Sequence, residues 1–156
     1  MKPLPGILFC ILSVISLAFL AGCSKPGIGL AETGLRPCPG SPNCVSSQAK
    51  DEGHFIEPLN YGIYGISPGA AHDILEKIVS SQDGASLVLA EPDYIHAEFR
   101  TKIFGFVDDV EFWFPRKQGL IHIRSASRLG YSDFGVNKKR VEMLRQMFAE
   151  QASILL

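Results

Sequence analysis

The sequence predicts an α+β domain in which two helices pack on one face of an antiparallel β-meander. Three observations point there. Residues 94–128 alternate apolar and polar in three runs separated by turn residues. An amphipathic helical stripe stands on either side of this region. A simple hairpin register brings every apolar row onto one face, where helices can cover it.

The first 22 residues read as an export signal. Lys2 gives a positive start, and Ile7 to Leu20 is almost continuously apolar. That run is short for a bilayer span, which needs about 20 apolar residues, and has the length of a secretory core instead. It ends in Leu20-Ala21-Gly22-Cys23, which resembles the lipobox of bacterial lipoproteins, so Cys23 is the expected lipidation site. Such an anchor implies a membrane as partner. Ser24, where Asp would mark retention at the inner membrane, points to the periplasmic face of the outer membrane. Removing the signal leaves 134 residues, enough for a single core. They carry 14 basic and 16 acidic residues, without a basic stripe of the kind nucleic acid selects.

Residues 23–36, rich in Gly and small side chains, read as a flexible tether. The domain then runs from 37 to 156. Its first part, to about residue 66, has Pro, Gly, Asn and Ser at short intervals and reads as an irregular segment. Within it Cys38-Pro39-Gly40-Ser41-Pro42-Asn43-Cys44 forms a turn, and in an oxidising compartment Cys38 and Cys44 are expected to pair. Closing that short loop stabilises by about 2 kcal/mol on chain-entropy grounds.

Ser67 as N-cap and Pro68 at the first helical position open a helix whose Ala71, Ile74, Leu75, Ile78 and Val79 form one stripe, ended by Asp83-Gly84. Four strands follow: Ser86 to Ala90, Tyr94 to Ile103, Phe106 to Pro115 and Leu120 to Arg128. If Phe104-Gly105 is a two-residue hairpin loop, Phe99 faces Val110, Ala97 faces Phe112 and Ile95 faces Phe114. If Lys117-Gln118 is the next loop, Phe112 faces Ile123 and Phe114 faces Ile121. A last helix starts near Ser132-Asp133, with Val141, Leu144, Phe148 and Leu155 on its stripe.

On the opposite sheet face this register sets Glu98 against Glu111, Glu111 against Arg124, Arg100 against Asp109, and Trp113 against His122. Two like charges across strands need a cation between them, a role Arg124 would fill. One reading of this face is a solvated surface laced with ion pairs that each contribute little. The other is a groove for a small polar ligand, floored by these residues and walled by Trp113 and Tyr94. Arg128, Lys138 and Lys139 near the start of the last helix form a candidate anion site, against which Asp133 competes as a cap.

No nucleophile elbow, zinc-protease helix, phosphate loop or dinucleotide fingerprint occurs. His54, His72, His96 and His122 are scattered; only His96 and His122 share a face, both expected beside Trp113, and no metal set or cofactor follows from them. The block Cys38-Pro39-Gly40-Ser41-Pro42-Asn43-Cys44-Val45-Ser46-Ser47-Gln48, then Tyr94 to Phe99, Phe106 to Phe112, and Arg124 to Arg128 through Asn137 and Arg140, resembles the bacterial domain of unknown function 1499 over residues 35 to 150. The resemblance implies kinship and supplies neither reaction nor ligand. What remains is a lipid-tethered envelope domain that binds a small polar or lipidic ligand, or else serves a structural or protein-contact role; a hydrolase has least support.

Overall fold

The computed structural model describes residues 27–155. Its elements are β1 (Leu30–Ala31), β2 (Gly34–Leu35), β3 (Cys44–Ser46), β4 (Leu59–Asn60), a 3-10 turn at Gly62–Tyr64, α1 (Pro68–Ser80), β5 (Ala85–Glu91), β6 (Tyr94–Arg100), β7 (Val107–Trp113), β8 (Leu120–Ser127) and α2 (Val136–Ser153). Strands β5 to β8 form the expected meander, and the sheet continues in the order β3-β8-β7-β6-β5. The domain is α+β, with α1 and α2 packed against one sheet face.

Local chemistry explains the first helix. The Ser67 hydroxyl accepts from the Ala70 amide, Pro68 occupies the first turn, and Ala71, Leu75, Ile78 and Val79 are buried. Facing them are Ile95, Ala97, Val110, Phe112, Ile121 and Ile123, with Val141, Leu144 and Phe148 from α2. Side chains of this size stabilise by about 1.5–3 kcal/mol each when fully buried.

Both expected boundaries of the last helix shift. Ser132-Asp133 precede the last helix, which begins at Val136, and Leu155 lies beyond its end and is exposed rather than on the stripe. The β6–β7 register is displaced by two residues from the expected one: Ala97 faces Val110, Ile95 faces Phe112 and Phe99 faces Asp108. The cause is the turn. Thr101 and Phe106 close a longer loop, with the Thr101 amide donating to the Phe106 carbonyl (2.9 Å) and Gly105 in the left-handed region at φ +65°. Ile103, expected in a strand, sits in this loop. A two-residue displacement keeps each side chain on its face, so the apolar rows still meet. The β7–β8 register is the expected one, with Phe112 facing Ile123.

The segment before α1 is more ordered than its composition suggests. Cys38 and Cys44 are disulfide-bonded with Cα atoms 5.7 Å apart. Cys44, Val45 and Ser46 then pair with Ala126, Ser125 and Arg124 as an edge strand, and Leu59–Asn60 pair with Leu120–Ile121 on the same edge. Residues 27–36, expected as a flexible tether, instead fold back as the β1–β2 hairpin over the other sheet face. Cys23 and the signal segment lie outside the described residues.

Asn137, fully buried in the first turn of α2, joins these parts. Its Oδ1 accepts from the Ser125 hydroxyl (2.5 Å) and Arg140 Nη1 (2.6 Å), and its Nδ2 donates to the Asn43 carbonyl and Ser127 Oγ (both 3.0 Å). Arg140 reaches on to Asp108 (2.6 Å) and covers the Phe99 ring. Asn137→Ala strands several buried polar groups at once and is expected to lower stability by about 3 kcal/mol. Urea melts of wild type and variant measure it; a loss below about 1 kcal/mol, the size of one ordinary hydrogen bond, contradicts this role.

Candidate functional site

Alternation along the meander sends every second residue to the face opposite the helices, and the register arranges them in rows. Tyr94, Trp113 and His122 form one row. His96, Glu111, Arg124 and Ser46 form the next, and Glu98, Asp109, Ala126 and Cys44 the third. Glu111, Arg124 and Asp109 have almost no solvent contact.

Two ion-pair centres occupy these rows. In the first, Glu111 Oε2 accepts from Arg124 Nη1 (2.7 Å), while its Oε1 accepts from the Tyr94 hydroxyl and the Gly29 amide (both 2.7 Å). Burial, with the Glu111 charge beside it, holds the Tyr94 phenol above its usual range, so Tyr94 donates as a neutral hydroxyl. Arg124 Nε is buried and has no hydrogen-bond partner among the described residues. In the second, Asp109 receives a two-pronged pair from Arg128 Nε (2.8 Å) and Nη2 (2.7 Å), and a third bond from His96 Nε2 (2.8 Å). Arg128 also donates to Glu98. Burial alone would push the Asp109 carboxyl up; the bonds from Arg128 and His96 outweigh it and leave the group below its ordinary value. The same partnership raises Arg128, so its charge is constant at any working pH.

Beside these centres the Ser47 hydroxyl accepts from the Ile123 amide (2.9 Å) and shares a hydrogen bond with His122 Nδ1 (3.0 Å), in which it donates when the ring carries its proton on Nε2. Burial lowers the His122 pKa, which keeps the ring neutral and able to accept. Trp113 stacks on His122 with centroids 5.5 Å apart. Gly34 lies against this stack at φ +127°, where an added Cβ would fall 2.6 Å from Trp113 Cζ3. A hydroxyl bonded to a neutral imidazole is the start of a nucleophile–base pair. No acidic side chain hydrogen-bonds the His122 ring among the described residues, and Ser47 is buried.

The profile of the family described as "Protein of unknown function (DUF1499)" matches residues 34–148. The chain belongs to this family. A search of curated proteins finds no match. The family brings no assigned chemistry, so geometry alone speaks for these residues.

That geometry corrects several sequence expectations. Glu98 does not face Glu111; it faces Asp109, while His96 faces Glu111. The Glu–Arg–Glu cluster is thus replaced by two centres, with Arg124 serving Glu111 and Arg128 serving Glu98 and Asp109. Arg100 faces Val107 rather than Asp109 and is exposed, with Nη1 donating to the Gly105 carbonyl (3.2 Å). His96 is bound to Asp109, so only His122 accompanies Trp113. The face is neither solvated nor an open groove over Glu111, because the β1–β2 hairpin lies there. The candidate anion site does not assemble as expected. Arg128 is engaged with carboxylates, Lys138 is exposed, and Asp133 occupies the Gly135 (3.0 Å) and Asn137 (2.7 Å) amides.

Sequence reading missed Gly29, Gly34 and Ser47, whose roles arise from contacts distant in the chain. Among the described residues one trio, His72, Asp73 and Glu76, brings ligand-type atoms within 4.8 Å of one another. His72 Nε2 donates to the Glu91 carbonyl (3.0 Å), and the two acids stand at the helix surface as an ordinary polar cluster.

The two centres are separately testable. Arg128→Ala and Glu98→Gln share a contact and should be non-additive in denaturant melts, whereas Arg124→Ala and Glu98→Gln should add within about 0.5 kcal/mol. Coupling of Arg124 to Glu98 would contradict the register. Asp109→Asn should cost about 2 kcal/mol at neutral pH. A carboxyl with a depressed folded pKa stabilises above its unfolded value, near 3.9, and loses that contribution as pH falls through the folded value. The gap between wild type and variant should therefore narrow below about pH 4. A gap unchanged down to about pH 2 contradicts the assignment.

Proposed function

We propose that the protein is a lipid-anchored component of the bacterial cell envelope, exported by residues 1–22 and acylated on Cys23, with the outer membrane as its destination. The observation that carries this reading is the Leu20-Ala21-Gly22-Cys23 ending of a secretory apolar run. The Cys38–Cys44 disulfide supports it, since such bonds persist in oxidising compartments outside the cytoplasm. Among the described residues no helix is long and apolar enough to cross a membrane. In this reading the lipid on Cys23 supplies the attachment. Cys23→Ala expressed in a bacterial host should move the protein from the membrane to the soluble fraction and remove the acyl mass from its N-terminal peptide. Undiminished membrane association without acyl mass would overturn the reading.

Within the envelope, one observation favours a ligand-binding role over a purely structural one. Buried polar atoms are nearly always paired, and Arg124 Nε beside Glu111 is not. In this reading a small polar ligand enclosed beneath the β1–β2 hairpin, rather than one lying in an open groove, satisfies it. Native mass spectrometry of protein extracted gently from the envelope is expected to show a bound small molecule that Arg124→Lys releases. Protein carrying only solvent contradicts the ligand role and leaves the anchor untouched.

A further inference from the structure

We infer that the domain lays one end of its sheet, formed by the β6–β7 loop and the β8–α2 loop, against the lipid bilayer. This rests on the reading that Cys23 carries lipid.

Five of the six described large apolar side chains that are at least 70 % exposed stand in these two loops: Ile103, Phe104, Leu129, Tyr131 and Phe134. Phe106 adds to them, half exposed and stacked on Phe104 with centroids 5.7 Å apart. The loops are neighbours, since the Arg128 amide donates to the Val107 carbonyl (3.0 Å) and Thr101 closes on Phe106. Phe134 is 90 % exposed at φ +53°, a left-handed conformation that a bulky side chain adopts only under strain. An exposed aromatic group held in a strained turn contributes nothing to the core, and clustered exposed apolar groups mark a contact surface.

The path of the chain identifies what that surface meets. Gly34 packs on Trp113 at the far end of the sheet, and from there residues 34–38 run up to Cys38, which is bonded to Cys44 opposite Ala126. The partner strand of the hairpin runs antiparallel, Leu30 facing Leu35, so the chain from Ala31 back to Gly27 climbs the same way, and Gly27 lies against the Arg36 side chain. Gly27 thus lies toward the end of the sheet that carries the apolar loops. Four residue steps separate Gly27 from Cys23, a reach of about 14 Å at most. A lipid on Cys23 then holds this end at the bilayer surface. Phe and Tyr suit the headgroup boundary, and the exposed Lys138 and Lys139 at the start of α2 suit anionic headgroups.

The test uses the full-length protein expressed with its signal, purified in detergent and reconstituted into phosphatidylcholine–phosphatidylglycerol vesicles with brominated acyl chains. Trp113, the only tryptophan of the chain, lies away from the apolar loops and serves as internal reference. In Phe104→Trp and Phe134→Trp the added indole should be quenched by bromine and shifted to the blue, while Trp113 of the wild type is not quenched. Protein that floats with the vesicles but shows no quenching at either position overturns the docked orientation and leaves the anchor standing. Equal quenching of Trp113 also overturns it. Protein that fails to float overturns the anchor and the docking together.

Discussion

The structure turns on a charge buried on both sides. Glu111 and Arg124 face each other on adjacent central strands and are almost wholly removed from water. An isolated buried charge costs several kcal/mol, so the Glu111 carboxylate holds only if both of its oxygens are answered. Arg124 answers one carboxylate oxygen, and the Tyr94 hydroxyl and the Gly29 amide answer the other. The last of these comes from 82 residues away in sequence. A segment that composition alone would leave free is thereby made part of the fold.

The rest of the second face follows from that requirement. Covering Glu111 with the β1–β2 hairpin places Gly34 on Trp113 and brings the Gln48 side chain to the Leu35 amide (2.8 Å). The disulfide then ties the end of the same segment to the edge strand β3. Asp109, one row further, is answered by Arg128 and His96 rather than by the hairpin. The sheet is therefore covered by helices on one side and by its own N-terminal chain on the other. In the proposed envelope setting, the same tie limits how far the domain can stand from its anchor.

How much of this was legible in the sequence depends on the range of the signal. Ser67 and Pro68 announced α1, and period-two alternation announced the meander, because these patterns are local. The β7–β8 register was readable for the same reason. The β6–β7 register was not, since a displacement of two residues preserves every face and only the geometry of the loop closed by Thr101 and Phe106 decides it. That single displacement moved Glu98 from Glu111 to Asp109 and exposed Arg100. The three-residue strand β3 and the contact of Gly29 with Glu111 depend on distant partners, and residues 27–36 have the composition of a linker. Asn137 and Arg140 stood in the family-like motif, but their link to Ser125 and Asp108 appears only when α2 is seated on the sheet.

Amide hydrogen exchange at Gly29 tests the central claim most directly. If the Glu111 carboxylate holds this amide under the packed hairpin, Gly29 should exchange far more slowly than a free chain, and Glu111→Gln should sharply reduce that protection while Phe112 at the core of the sheet stays protected. Exchange of Gly29 at the free-chain rate in the wild type, with Phe112 protected, would show that the N-terminal segment is not held by the buried charge.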